Sequence, residues 1–307
     1  MASGTPPGKA PIQDLAKQQE QVKQFWSAKP CDSELSDKNP RTKAYYLEIE
    51  TERYQNQRHI PKILSGIHWQ SKKVLEIGTG VGTDARRIIG HGCGQYTGIN
   101  IDRGSVEMTT QALRTFALDG EVEQCSATAM AFGNETFDVV YSFGVLHHIP
   151  EVDKAVMEIR RVLKPRGEVL VMLYNKSSIN YYIEILFLRR FFLRLLSVPG
   201  AIPLFALLGL PREKLLRHRA LYRASKTMST EEWLSRNTDG ADNPYSRVYS
   251  ATEAEDLFRD FEIISNEVYF FDARHWGIAG KWLPERVVDF LGRHWGWHRI
   301  VHARKPE

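Results

Sequence analysis

A short apolar stretch that ends in three closely spaced glycines is the feature that most constrains the fold of this chain. Residues 74–77 have the length and apolar character of a buried strand, and Gly78, Gly80 and Gly82 follow directly. A glycine turn after a buried strand lets backbone approach a ligand closely and directs the N-terminus of the next helix at it. The segment therefore predicts the first strand, loop and helix of an α/β ligand-binding domain.

Strands and helices alternate along the chain after this loop. Periodicity predicts further strands at residues 95–101, 121–127, 137–143 and 169–174, helices at 83–89, 105–118 and 152–163, and a turn at 165–167. A helix at 252–258, a strand at 262–271 and a last strand at 298–303 complete the pattern. Alternating strands and helices form crossover units, so we predict a doubly wound, mostly parallel seven-stranded sheet of Rossmann-like type.

Composition narrows the class of protein. Apolar residues make up 42% of the chain and charged residues 25%, as in soluble globular proteins. The net charge of +4 is too small and too scattered to indicate a nucleic-acid partner. Cys31, Cys93 and Cys125 lack paired spacing, which argues against a disulfide framework and a zinc site, and we expect no other metal. Without an apolar N-terminal stretch typical of a signal peptide, we expect a cytoplasmic protein with reduced thiols.

The glycine spacing and an acid inside the strand separate the ligands that such a loop can bind, which include nicotinamide dinucleotides, flavins and S-adenosyl compounds. The dinucleotide fingerprint places its third glycine three residues after the second, where this chain has Thr83. Glu76 would repel a pyrophosphate but would suit the sulfonium and ammonium of S-adenosylmethionine. Alternatively, backbone amides of its own loop could hold the Glu76 carboxylate.

A second ligand contact is expected at the end of the second strand, where an acid about 20 residues after the glycines usually holds the ribose hydroxyls. Counting from Gly80 leads to Asn100, which can accept from one hydroxyl and donate to another but lacks the strength of a carboxylate. Asp102 is the alternative if the strand continues that far.

These residues resemble the class I S-adenosylmethionine-dependent methyltransferases, in the small-molecule branch that includes the ubiquinone and menaquinone biosynthesis C-methyltransferases. The matching stretches are residues 74–82, 96–102, 126–132 and 137–150, the last continuing through 158–167. Together they cover about a third of the chain. The family usually has acids at the positions of Asn100 and Ser126, so this chain departs from the pattern there.

The resemblance implies S-adenosylmethionine as the cofactor and assigns site residues position by position. It implies that the methionine part is wrapped by Gly78, Thr79 and Gly80. Asn100 and Ile101 would meet the ribose and adenine. The residues that would flank the adenine ring are Ala127, Thr128 and Ala129, and those near the sulfonium are Ser142, Phe143 and His148.

Three side chains at the same predicted sheet edge are candidates for catalysis. His147 and His148 follow the fourth strand, and Tyr174 ends the fifth. A hydroxyl or carbon acceptor usually needs a nearby base, which either histidine could supply, and Tyr174 could polarise the acceptor. Alternatively, the histidines orient the loop and contact cofactor, and Tyr174 only lines the pocket.

The sequence divides into an N-terminal tail (1–12), a helical cap (13–70), a cofactor-binding core (71–175), an insertion or lid (176–245) and a C-terminal completion of the sheet (246–307). Aromatic residues of the cap could form a lid or simply pack. Charges and prolines interrupt the apolar run at 180–211, so a membrane span is not expected. That run fits a lid, a homodimer interface or an interfacial helix in peripheral membrane contact.

We therefore predict a methyltransferase that acts in small-molecule biosynthesis, on a lipophilic or aromatic acceptor of natural-product or quinone-like type. Two alternatives stay open, namely an NAD-dependent oxidoreductase and a non-catalytic S-adenosyl-ligand-binding protein.

Overall fold

The computed structural model describes residues 12–28, 30–207, 209–225, 228–240, 242–276, 280 and 282–307. The predicted tail lies outside the described residues except for Ile12, which begins the first helix.

The predicted sheet is present with one additional strand. Its strands in chain order are β1 Lys73–Ile77, β2 Gln95–Asn100, β3 Glu121–Gln124, β4 Phe137–Phe143, β5 Leu163–Asn175, β6 Val248–Tyr249, β7 Glu262–Tyr269 and β8 His298–Arg304. The spatial order is β3-β2-β1-β4-β5-β8-β7, and β6 pairs with the end of β5. Strands β1 to β5 are parallel, whereas β8 lies antiparallel between β5 and β7. The doubly wound, mostly parallel sheet is thus confirmed.

Helices precede the sheet, connect its strands and form the insertion. The α-helices are α1 Ile12–Ala28, α2 Lys43–Asn56, α3 His59–Ser65, α4 Thr83–Gly90, α5 Arg103–Thr115, α6 Val152–Val162, α7 Arg189–Leu195, α8 Ala201–Leu207, α9 Arg212–Ser225, α10 Thr230–Ser235, α11 Ala251–Leu257 and α12 Glu285–Trp295. A π-helix, Asn180–Leu188, runs directly into α7, and short 3₁₀ turns lie at Leu146–His148 and Ala273–Trp276.

Both faces of the sheet are apolar because neighbouring residues of each central strand enter different cores. Val74 and Val139 pack in one buried cluster, while Leu75 and Val140 pack in the other. This is the pattern of strands covered by helices on both sides. The strand order reverses at β1, between β2 and β4, and such a switch point opens a crevice at the carboxyl ends of the strands.

The predicted turn at residues 165–167 is wrong, because β5 already begins at Leu163. Leu163 pairs with Phe137, and Glu168 pairs with Val139, so the residues between them bulge out of the strand. Arg166, at φ +62°, sits in this bulge. Leu163 is fully buried when it pairs with β4, so the strand begins there and continues past Gly167 through the bulge.

The predicted cap is helical, but one expected helix over residues 42–60 is divided into α2 and α3. Thr42 starts α2, because its side chain accepts from the Tyr45 amide. Tyr45 and Tyr46 pack in a core cluster with Val81 on the glycine loop, and the Tyr46 hydroxyl donates to the Met108 carbonyl at 2.9 Å. These two aromatics therefore anchor the cap to the core and do not form a lid.

The insertion is a set of short helices packed on one side. Leu193 and Leu196, which lie in and just after α7, are buried together with Ile202 of α8 and Leu215 of α9. The Trp233 indole donates to the Ile185 carbonyl at 2.9 Å and fixes the π-helix to α10. None of the helices within the described ranges is long and apolar enough to cross a membrane.

Candidate cofactor site

The glycine loop adopts backbone conformations that favour glycine. Gly78, Gly80 and Gly82 have φ angles of +82°, +55° and +79°. A Cβ added to Gly78 would lie 2.1 Å from the Val145 side chain, so a larger residue would displace the loop after β4. The loop therefore joins β1 to α4 in a tight turn and forms one wall of a cleft at the switch point.

Glu76, in β1, lines this cleft with a carboxyl group that is 2% exposed. Its Oε2 accepts from the Tyr96 hydroxyl at 2.6 Å, and no backbone amide among the described residues donates to it. Burial disfavours the charged form and raises the pKa of Glu76 to about 8, with the nearby Asp84 carboxylate adding to the effect. A buried carboxyl that is costly to ionise gains most from a cationic ligand beside it.

Asn100, at the end of β2, serves the glycine loop. With its carbonyl oxygen turned toward that loop, it accepts from the Thr79 and Gly80 amides at 3.0 and 3.2 Å and from the Thr79 hydroxyl at 3.0 Å. Because the oxygen is occupied, the amide group that remains for a ligand is a donor. The structure thus keeps Asn100 in the cleft wall but gives it only half of its expected hydroxyl-binding role.

Asp102 supplies the acceptor that Asn100 lacks. The strand ends at Asn100, and Asp102 instead caps α5, with its Oδ1 accepting from the Ser105 amide at 2.7 Å. Its Oδ2 is buried in the cleft wall without a hydrogen-bond partner among the described residues. A buried carboxylate oxygen without a donor is costly, so this atom fits a ligand hydroxyl.

Of the residues 127–129 predicted to flank the adenine, only the first lines the cleft. Ser126 and Ala127 line the cleft, whereas Thr128 and Ala129 lie outside it. The reason is local: β3 ends at Gln124, and Ser126 and Ala129 form a small turn that directs the later residues away. The α1 side chain of Gln19 closes this end by donating to the Ser126 hydroxyl at 3.2 Å.

His148 follows β4 and is buried in the cleft wall. Its Nδ1 lies 2.9 Å from the Tyr245 carbonyl oxygen, which can only accept, so Nδ1 carries the proton. In the neutral ring the Nε2 lone pair is then free, and Nε2 has no hydrogen-bond partner among the described residues. The Trp26 ring from α1 meets the His148 ring edge to face at 5.1 Å.

Asp239, in the loop after α10, completes the histidine's surroundings. Its Oδ2 lies 3.5 Å from His148 Nε2, and its Oδ1 accepts from the Tyr174 hydroxyl at 2.7 Å. The Asn243 amide donates to Oδ2 at 3.2 Å. This segment falls at the end of the predicted insertion, and no role was predicted for Asp239. Its one signal, an Asp-Gly pair after a helix, is shared by many loops.

Two of the predicted catalytic residues lie behind the cleft wall. His147 is completely buried, its ring packs 3.7 Å from the Tyr174 ring, and burial lowers its pKa well below the usual value. Tyr174 is stacked on Trp297, and burial raises its pKa far above normal. Ser142, predicted near the sulfonium, donates to the Ile77 carbonyl at 3.2 Å inside the sheet. The structure therefore places these three as supports, outside the cleft lining.

Arg53 of α2 was missed by the sequence analysis because nothing in the helix marks it as different from other basic residues. It lines the cleft, and its guanidinium forms ion pairs with Asp32 and Asp84. The Tyr54 and Tyr141 hydroxyls also donate to Asp84, at 2.9 and 2.8 Å. This network holds one buried cation at the Glu76 end of the cleft, with Arg53 Nε unpartnered among the described residues.

The cleft fits S-adenosylmethionine by these observations. The structure brings together Glu76, the glycine loop, Asn100, Ile101, Ala127, Phe143 and His148 from the predicted set. Glu76 and Arg53 can meet the ammonium and carboxylate of a methionine group. The unpartnered Asp102 Oδ2 and the Asn100 amide can meet the ribose hydroxyls.

Comparison with known proteins agrees with this geometry. Residues 75–171 match the family model described as Methyltransferase domain. A sterol 4-C-methyltransferase from Caenorhabditis elegans is 36% identical over 113 residues, which are 35% of this chain and 32% of that protein. A ubiquinone/menaquinone biosynthesis C-methyltransferase from Haemophilus ducreyi is 35% identical over 118 residues, 36% of this chain and 44% of the relative. The chain thus spans less than half the length of these relatives.

Solved structures share the fold at low sequence identity. Geranyl diphosphate C-methyltransferase from Streptomyces coelicolor superimposes with a TM-score of 0.54 at 11% identity, covering 94% of this chain and 98% of that one. The [4+2]-cyclase SpnF superimposes with a TM-score of 0.53 at 16% identity, covering 98% of both chains. Because neighbours of this fold have different chemistry, the superpositions bear on the architecture alone. The family match thus identifies a methyltransferase domain over residues 75–171, and the sequence relatives are similar to this part of the chain.

Proposed function

We propose that this protein transfers a methyl group from S-adenosylmethionine to a small lipophilic acceptor, and that His148 is the general base. The observation that carries the proposal is Glu76, a buried carboxyl at the glycine loop that faces the cleft. It discriminates in favour of a cationic nucleoside and against a pyrophosphate.

When bound, S-adenosylmethionine supplies an activated methyl group and leaves as S-adenosylhomocysteine. Glu76 and Arg53 bind the two charged groups of its methionine part, and Asp102 and Asn100 bind its ribose. These contacts fix the nucleoside along the carboxyl ends of β1 and β2. Positioning of the reactants supplies most of the rate acceleration in an in-line transfer.

His148 can take a proton from the acceptor because its tautomer is fixed. The Tyr245 carbonyl holds the Nδ1 proton, so the Nε2 lone pair receives the proton that the acceptor's carbon or oxygen loses as its electron pair forms the new bond. The Asp239 carboxylate 3.5 Å from Nε2 then stabilises the resulting imidazolium. The relatives named as C-methyltransferases support a carbon acceptor.

The lining beyond the nucleoside favours an apolar acceptor. Val145, Ile149 and Pro150 lie on the same loop as His148 and line the cleft, together with Trp26, whose ring contacts the His148 ring. A second cavity beside Trp26 and Cys31 adds the side chains of Phe25, Pro30 and Leu35. The charged side chains that line this second cavity are Asp32, which is paired with Arg53, Glu34 and Asp239. An acidic lining of this kind disfavours an anionic acceptor.

Binding and turnover test the proposal separately. In a thermal-shift assay, S-adenosylhomocysteine should stabilise the protein and NAD should not; the reverse result would identify an oxidoreductase. No binding by calorimetry at millimolar concentration would indicate a protein without this cofactor.

The role of the base is tested by His148→Ala. This variant should retain S-adenosylhomocysteine affinity and lose on the order of 10²-fold or more of methyl transfer to quinol-like and sterol-like test acceptors. Because the Nδ1 contact is lost as well, His148→Gln serves as a second variant. Wild-type turnover in both would exclude a general base at this position.

A further inference from the structure

Large apolar side chains are exposed on one side of the inserted helices. The helices pack together through buried residues such as Leu193 and Leu215, so their inner side is complete. The opposite side, here called the outer face, consists of Ile183, Phe187, Phe191, Leu195, Leu204 and Leu207, which are all exposed. This unit therefore covers the core with one side and leaves the other without a partner in the described chain.

The outer face is continuous along the long helix of the insertion. Phe187, Phe191 and Leu195 recur every four residues, and the rings of Phe187 and Phe191 lie parallel with centroids 6.4 Å apart. Four-residue spacing puts these side chains on one side of a helix. Single exposed apolar residues are normal on a protein surface, whereas a contiguous apolar stripe marks an interaction site.

Positive charge accompanies the apolar residues. Residues 180–219 contain seven Lys and Arg residues and two Glu residues, a net charge of +5, whereas the whole chain has a net charge of +4. Arg189 pairs with Glu184, but Arg194 and Arg217 are exposed and have no acidic partner within the described ranges. The charge excess of the protein is thus concentrated in the segment that bears the outer face, where Arg194 and Arg217 are the exposed cations named above.

We propose that the outer face docks on the surface of an anionic lipid bilayer. The phenylalanines would enter the boundary between headgroups and acyl chains, and the arginines would contact the phosphates. No described helix could span the bilayer, so the contact is peripheral. A second copy fits less well, because a two-fold interface would bring two copies of the same positively charged segment together. This inference goes beyond the proposed enzymatic function and does not depend on it.

Co-sedimentation of the full chain with vesicles tests the proposal. Phosphatidylcholine vesicles with phosphatidylglycerol should bind the protein at low salt, and pure phosphatidylcholine vesicles should bind it much more weakly. Phe187→Ser with Phe191→Ser should weaken binding at least tenfold, because apolar insertion is lost. Arg194→Glu with Arg217→Glu should weaken it on the order of 20-fold on the anionic vesicles.

Matched controls lie elsewhere on the surface. Met157 in α6 is 64% exposed, as Phe187 is at 63%, so Met157→Ser should bind like wild type. Arg286→Glu with Arg293→Glu, at two exposed residues of α12, controls for the change in net charge. Circular dichroism and thermal unfolding verify the fold of each variant, and Phe191→Ser alone replaces a double variant that fails to fold.

Three results would overturn the proposal. The first is no binding to anionic vesicles at low salt, and the second is wild-type binding by both double variants. The third is a dimer in analytical ultracentrifugation that the phenylalanine variant abolishes while vesicles bind nothing, which would assign the outer face to contact between copies.

Discussion

At the scale of single residues, burial of the Glu76 carboxyl group destabilises the unliganded protein when the group ionises, and the same group favours a cationic ligand. Its pKa rises from 4.5 to about 8 on folding, so the folded protein holds a proton that the unfolded chain has released between these pH values. The stability of the unliganded protein therefore falls as pH increases from about 4.5 to about 8.

Glu76→Gln should remove this dependence. At pH 8 the unliganded variant should be more stable than wild type, by on the order of 2 kcal/mol, and should bind S-adenosylmethionine more weakly. Urea unfolding from pH 5 to pH 8.5 measures the first effect and calorimetry the second. Glu121→Gln, on an exposed residue of β3, is the control. Equal pH slopes in wild type and Glu76→Gln would contradict the assignment.

Gly80 lines the cleft, so a side chain added at this position would extend into the space proposed for the cofactor. A Cβ there would have only ordinary contacts, at 3.6 and 3.7 Å from Cys31. Gly80→Arg should reduce S-adenosylhomocysteine affinity at least 100-fold while costing about 1–2 kcal/mol of stability for the left-handed backbone. Gly90→Arg is the matched control, since a Cβ at Gly90 has no neighbour within 4 Å. Unchanged calorimetric affinity in Gly80→Arg would place the nucleoside elsewhere.

Asp239 positions His148 and is itself held by Tyr174. Asp239→Asn keeps the size of the side chain but removes the charge opposite Nε2, so kcat should fall roughly tenfold with little change in the KM for S-adenosylmethionine. Tyr174→Phe should produce a smaller effect in the same direction because one hydrogen bond to Asp239 is lost. Because a loss of folded protein also lowers the apparent kcat without changing KM, calorimetric titration with S-adenosylhomocysteine measures the active fraction of each variant, and kcat is calculated per active site.

At the scale of elements, α2 connects the cap to the cofactor site. Ile49 anchors the helix in the core with Val81, and Arg53 one turn later reaches the cleft. Ile49→Ala should cost about 2–4 kcal/mol of stability and also weaken cofactor binding, because the helix carries Arg53. Leu47→Ala on the exposed side of the same helix should change stability by less than about 0.5 kcal/mol. Equal losses in chemical denaturation would show that α2 is not anchored in this way.

The strands could be predicted because the pattern of apolar residues is local, but the ends of the strands were harder to predict. Short apolar runs identified β1, β2 and β4 to within one residue. β5 starts six residues earlier than predicted, since pairing of Leu163 with Phe137 continues the strand through a bulge. A glycine after a proline reads as a turn in sequence. Only the neighbouring strand determines whether such a turn interrupts the ladder.

At the scale of the whole molecule, the cleft draws on separate parts of the chain. Gln19 and Arg53 come from the cap, Glu76 and Asp102 from the core, and His148 from the loop after β4. A ligand that contacts all of these residues should increase the free energy of unfolding of the whole molecule. At 100 times its Kd, S-adenosylhomocysteine should add about 2.7 kcal/mol, a rise of several degrees in Tm. A Tm independent of ligand concentration would contradict this arrangement.

The insertion couples the proposed membrane surface to the acceptor side of the cleft. Arg189 donates to the Asn237 carbonyl at 2.6 Å, two residues before Asp239. The helix that bears the outer face therefore also supports the loop opposite His148. This arrangement suits an acceptor that partitions into lipid, which is the substrate class proposed above.

The sequence by itself determined the parallel sheet, the glycine loop and the class of cofactor, because these depend on residues that are neighbours in the chain. Glu76 and its glycines lie within seven positions. Only the tertiary structure decided that Asp102 Oδ2 lacks a donor among the described residues, that Tyr174 lies behind the cleft wall, and that Asp239 faces His148, 91 positions away along the chain. Contacts across such distances depend on how the insertion packs against the sheet, and no local pattern of residue types encodes that packing.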